Sequence, residues 1–157
     1  MSKSQNIRAH LSEQASKLRE LMINYEEFLP LLEVIMRDND PSVIQALLSI
    51  VDFPRLPHQM FAIIHAVESF PQDVYIPEFI ASIEAMSRNS KEFLDLMVVR
   101  ILNSSDDCLA FAAELNRCTN ESTRTEAVQS LKRIASEDSE FHERCENIVR
   151  QLEEHRA

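Results

Sequence analysis

The sequence predicts an all-α protein, a short right-handed α-solenoid of stacked helical hairpins with about nine helices. Three observations predict it. The first is an echo at 32 residues. Ile44, Leu47, Leu48 and Val51 recur as Ile76, Phe79, Ile80 and Ile83, then as Cys108, Phe111, Ala112 and Leu115. A second set keeps the offset: Phe61, Ile64, Val67 and Phe70 become Phe93, Leu96, Val99 and Leu102, then Thr125, Val128, Leu131 and Ile134. The second observation is the spacing of three and four inside each set, which is that of one helix face. A repeat of this length built from such faces means stacked helix pairs, as in HEAT and armadillo arrays. The third is the complete absence of glycine, against an average usage of roughly 7%. That removes the residue which supplies positive φ in hairpin turns and phosphate-cradling loops. All-β folds and P-loop or Rossmann sites are disfavoured accordingly.

The elements follow in order. A first helix is expected from about Ser4 to Ile23, with Ile7, Leu11, Ala15, Leu18, Leu21 and Met22 on one face. Asn24 and Glu27 have capping-box spacing for the next helix, and Pro30 either kinks that helix or marks its first turn. Asp40-Pro41 is a start signal, an N-cap carboxylate followed by proline at N1, for a helix reaching about Val51. The run Phe53 to Pro57 breaks the chain, and Pro57 opens a helix ending near Phe70. The next helix carries Pro77 and starts at Asp73 or Ile76. Ser90 caps a helix to about Asn103, apolar nearly all round. Ser104 or Ser105 caps the next, Asn120 to Thr123 opens another, and Asp138 or Ser139 opens the last. Its face is Phe141, Cys145, Ile148 and Leu152. The 157 residues read as a single domain, with a repeat core over about 27–135 and capping helices at both ends.

Composition narrows the partners. The net charge is −10, the wrong sign for gripping a nucleic-acid backbone and the right one for steering a basic protein. The polar N-terminus has no apolar signal core, and no apolar run approaches the roughly 20 residues that span a bilayer. Three unpaired cysteines, Cys108, Cys118 and Cys145, fit a reducing, cytoplasmic setting.

Stacking sets equivalent turns side by side. The turns between repeats carry Asp38 and Asp40, then Asp73, then Asp106 and Asp107, then Glu137, Asp138 and Glu140. These are expected to line one acidic edge that docks a basic protein, although carboxylates also suit helix N-termini for capping alone. The turns within repeats carry Arg55, then Arg88 and Lys91, then Arg117 and Arg124, a mixed and partly basic edge. Arg100 inside an apolar helix must reach solvent or a carboxylate. Glu68, one repeat earlier, is the proposed mate, and a partner contact is the alternative.

Chemistry is weakly represented. His65 with Glu68, and His142 with Cys145, have spacing for a shared helix face, but two ligands do not make a zinc site. Adjacent carboxylates such as Glu26 and Glu27 diverge on a helix and do not flank a bond. No nucleophile elbow exists without glycine. No catalytic residue, cofactor, metal or small-molecule substrate is expected, and the methionines read as core filler.

The stretches His65-Ala66-Val67-Glu68-Ser69-Phe70, Tyr75-Ile76 and Arg100-Ile101-Leu102-Asn103-Ser104 resemble the all-helical immunity proteins of bacterial polymorphic-toxin and contact-dependent growth inhibition systems, in particular the immunity protein 30 family. The resemblance covers roughly Glu27 to Ala135. It implies a protein that binds and blocks one cognate toxin domain, often a nuclease, without chemistry of its own. Glu68, Tyr75, Arg100 and Asn103 match motif positions, with packing expected for Tyr75 and Asn103. The candidate contact residues are therefore Asp38, Asp40, Asp73, Asp106, Asp107, Glu68 and Arg100. A HEAT-like scaffold holding a peptide or helix of another protein is the alternative function.

Overall fold

A computed structural model describes residues 3–21, 24–51 and 57–154. The described residues form nine α-helices and no strand. The chain divides into two compact units, Met1–Phe79 and Ile80–Ala157.

In the first unit α1 (Lys3–Leu21) packs on α2 (Tyr25–Met36) and α3 (Ser42–Leu48), and both α2 and α3 pack on α4 (Pro57–Glu68). Each of these packed pairs therefore joins helices no more than two apart in the chain. The buried faces are Leu11, Ala15 and Leu18, then Phe28, Leu32 and Ile35, then Val43, Ile44, Leu47 and Leu48. α2 begins at Tyr25, so Pro30 lies inside it, on the exposed side. The spacing of Asn24 and Glu27 is used differently from a capping box: Asn24 Nδ2 donates to Glu27 Oε1 at 2.9 Å, and Asn24 makes no side-chain cap. Asn39 after α2 takes φ +49°, the left-handed conformation that usually calls for glycine and that asparagine tolerates best among other residues. Asp40 then accepts at Oδ1 from the amide of Ser42 at 2.9 Å and from its hydroxyl at 2.7 Å. α3 stops at Leu48, short of Val51, because Ser49 and Ile50 turn the chain. The break expected from Phe53 onward falls on residues 52–56, outside the described residues, and Pro57 opens α4 as expected.

α5 (Gln72–Asn89) begins in the first unit, where Gln45 Nε2 of α3 donates to Glu78 Oε2 at 2.6 Å. In the second unit α6 (Lys91–Asn103) packs on α7 (Ser105–Arg117) and α8 (Glu121–Glu137), and both pack on α9 (His142–Glu154). Three caps form where the sequence places them. Ser90 Oγ accepts from Phe93 N at 3.1 Å, Ser104 Oγ from Asp107 N at 3.2 Å, and Asn120 Oδ1 from Ser122 N at 2.9 Å and Thr123 N at 3.2 Å. α9 starts later than expected. Asp138 Oδ1 holds the Glu140 amide at 2.9 Å in a turn that precedes it.

Burial separates the two repeat sets. Of the first set all are buried except Cys108, which is half-buried. The second set holds in part: Ile64, Val67, Phe70, Phe93, Leu102, Leu131 and Ile134 are buried, and the rest is corrected. Phe61 is 42% exposed, Thr125 is exposed, and Leu96, Val99 and Val128 are half-buried. The buried stripe is Met60, Ile63, Ile64 and Val67, then Leu94, Met97, Val98 and Ile101, then Ala127, Ser130, Leu131 and Ile134. Its offset is 34 and then 33 residues, so the second helix of each pair drifts against the first. A two-residue slip turns a helix face by about 200°. α6 hid the slip because it offers apolar residues on both sides.

Ile64→Ala should therefore cost about 2–5 kcal/mol in denaturant unfolding, whereas Phe61→Ser should cost less than about 1 kcal/mol. Equal losses would return Phe61 to the core.

Candidate partner-binding surface

The contact residues proposed from sequence divide between the units. Asp38 and Asp40 occupy the α2–α3 corner, Asp73 the first turn of α5, and Glu68 the end of α4. Asp38 and Asp73 are exposed, while Asp40 is half-buried and already serves as a cap for Ser42. Asp106 and Asp107 stand in the first turn of α7, and Arg100 in the last turn of α6, in the second unit. Asp106 is exposed; Asp107, Glu68 and Arg100 are half-buried. Tyr75 is buried with its ring centroid 6.0 Å from that of Phe79, as expected. Asn103 is exposed at the end of α6, against the expectation that it packs.

Within the second unit one bond ties two helix ends together. Arg144, in the first turn of α9, donates to the carbonyl of Leu102 at the end of α6. That bond ties the first turn of α9 to the end of α6; Glu137, Asp138 and Glu140 precede α9 in the chain, and Asp106 and Asp107 follow α6. Glu137, Asp138 and Glu140 are all exposed.

The opposite corners of this unit meet. Asn120 Nδ2 and Thr123 Oγ1 donate to Glu84 Oε1 at 2.8 and 3.0 Å, and Ser87 donates to Glu126. An open groove of about 440 Å³ lies there, lined by Glu84, Ser87, Arg88, Lys91, Ser122 and Glu126. Arg88 and Lys91 are exposed, as a partly basic edge requires. The other basic residues are engaged. Arg117 pairs with Glu114 at 2.7 Å, and Arg124 donates to the carbonyls of Leu152 and Cys118 at 3.2 and 3.4 Å. Arg55 lies outside the described residues.

Sequence reasoning missed the strongest polar cluster. Asp95 accepts from Arg133 Nε and Nη2 at 2.8 and 2.7 Å and from Ser130 Oγ at 2.5 Å. The bond to Asp95 is the first cause that raises the Arg133 pKa above its ordinary value. This bidentate pair explains why a fully buried serine interrupts the apolar stripe of α8. It holds α8 to α6 and leaves neither carboxylate oxygen available for chemistry.

The histidine pairs do not form sites. His65 is exposed on α4. His142 is exposed with Nδ1 3.0 Å from the Ala135 carbonyl, whereas Cys145 is buried, so the two do not share a face. Among the described residues no group of three or more His, Cys, Asp or Glu is placed to hold a metal ion. No described helix is long and apolar enough to cross a membrane.

A family model described as immunity protein 30 matches residues 14–111, well over half of the chain. The match begins inside α1, earlier than the resemblance read from Glu27, and ends inside α7. No curated protein and no solved structure matches the chain.

The thiols have a measurable consequence. Burial pushes the Cys145 thiol up to about 11, helped by the neighbouring Cys108, and burial also raises Cys108 against the pull of Arg144. The folded chain therefore favours protonated Cys145. Its contribution to stability should be intact below pH 9, the ordinary value, and should fall as pH rises through about 11. Unfolding midpoints across that range should show a shallower decline in Cys145→Ala than in the parent. An identical decline would remove Cys145 as its source.

Proposed function

Because the chain belongs to the immunity protein 30 family, we propose that it neutralises one cognate toxin domain of a bacterial polymorphic-toxin or contact-dependent growth inhibition system. It does so by covering the toxin's active site or substrate surface. The toxin domain is a basic nuclease, and the chain performs no catalysis, carries no cofactor and touches no nucleic acid itself. It acts in the cytoplasm as a single solenoid domain.

One observation carries this reading: the Arg144 bond to the Leu102 carbonyl, which ties together two helix ends flanked in sequence by Asp106, Asp107, Glu137, Asp138 and Glu140. Charge is uneven in kind but even in amount. The first unit has six basic and eleven acidic residues and the second ten and fifteen, so each carries −5. A nuclease grips phosphates with a positive surface. An inhibitor that offers carboxylates to that surface competes with the substrate for the same charges and gains association rate from the field. Asp73 extends the same chemistry on the first unit. Asp40, a cap, and Asp138, which holds a turn amide, keep their corners in shape, and exposed Asp106, Glu137 and Glu140 meet the partner.

The test uses the toxin domain encoded in the neighbouring reading frame. Cells expressing it should grow when this protein is co-expressed and should die without it. The triple variant Asp73→Lys, Asp106→Lys, Asp107→Lys should associate about tenfold or more slowly at low salt, with the gap closing as salt screens the field. Equal association rates at low salt would remove the acidic edge from the docking path.

A further inference from the structure

We propose that Leu109 is the apolar anchor of the docking surface, inserted into a pocket on a basic protein partner. The inference rests on the reading of the chain as a toxin-neutralising protein and names the contact at its centre. Leu109 is 71% exposed, the most exposed large hydrophobic side chain among the described residues; Val34 at 44% and Phe61 at 42% follow.

Its position is what makes it informative. α7 buries Phe111, Ala112 and Leu115 against the second unit. Asp106, Leu109 and Ala113 are spaced three and four apart, so they share the opposite face, and all three are exposed. Leu109 therefore stands one turn beyond Asp106 on the exposed side of α7, the helix that follows the Leu102 carbonyl held by Arg144. An isolated surface leucine is ordinary. A fully presented leucine one turn beyond an exposed carboxylate has the layout of an interface, with an apolar contact at the centre and a charged rim.

Charge decides the occupant. A second copy of this chain brings −10 and the same carboxylates to the contact, so like charges oppose self-association. An anionic lipid surface is repelled for the same reason. A protein rich in Lys and Arg around an apolar pocket satisfies both parts.

The rim and the anchor have separable signatures. Rim charges act on the association rate, whereas a desolvated anchor acts on dissociation. The full-length protein and the toxin domain encoded beside it are measured by surface kinetics. Leu109→Ala and Leu109→Gln should each weaken binding about tenfold or more, through faster dissociation, with association and the unfolding midpoint unchanged. Phe61→Ala should bind as the parent does. Parent-like dissociation of both Leu109 variants overturns the inference while leaving the immunity reading intact. A loss in Phe61→Ala with none at Leu109 moves the anchor to α4 and overturns it also. Failure of the parent to bind the toxin domain removes the immunity reading, and the anchor with it.

Discussion

Burial of one apolar stripe per helix, matched to the stripes of helices no more than two away in the chain, is the constraint behind every other feature of this protein. Four buried side chains such as Met60, Ile63, Ile64 and Val67 each contribute about 1.5–3 kcal/mol. An exposed ion pair such as Arg117 with Glu114 contributes about 1 kcal/mol or less. Packing therefore sets which helices meet. Polar contacts set their phase. Gln45 on Glu78 aligns α3 with α5, Asn120 and Thr123 on Glu84 align α8 with α5, and Arg133 on Asp95 aligns α8 with α6.

Phase is what turns local capping chemistry into a surface. Each acidic corner exists for a local reason, since a carboxylate at a helix start satisfies open amides and the helix dipole. Asp40 does this visibly before α3, and Asp138 holds an amide of the turn that precedes α9. Arg144 on the Leu102 carbonyl ties the start of α9, which Glu137 and Glu140 precede, to the end of α6, which Asp106 follows. The family match supplies the reason to expect a toxin partner.

What was legible in the sequence was local. Ser90, Ser104 and Asn120 announced their helices because a cap acts within three residues. The stripes of α3 and α5 were legible because polar residues bracket them. The face of α6 was not, since Leu94, Leu96, Met97, Val98 and Val99 surround the helix and the 32-residue offset selects half-buried Leu96 and Val99 along with buried Phe93 and Leu102. Asp95 and Arg133 are 38 residues apart, and their meeting depends on the rotation of two helices that periodicity leaves open. Arg144 found a main-chain acceptor, which has no side-chain signature. Leu109 reads as one more apolar residue beside Phe111, and only the phase of α7 turns it outward. The acidic corners of the candidate surface were foreseeable, whereas the apolar residue among them was not.

The neighbour scheme of the helices also governs how the chain reaches this state. In each unit, packing partners are no more than two helices apart in the chain, so loops that must close are short. Chains with such nearby pairings fold in microseconds to milliseconds, far ahead of β-rich chains of the same size. Either unit can nucleate without waiting for distant sequence. A newly made copy can therefore pack each unit as soon as that unit's helices have left the ribosome.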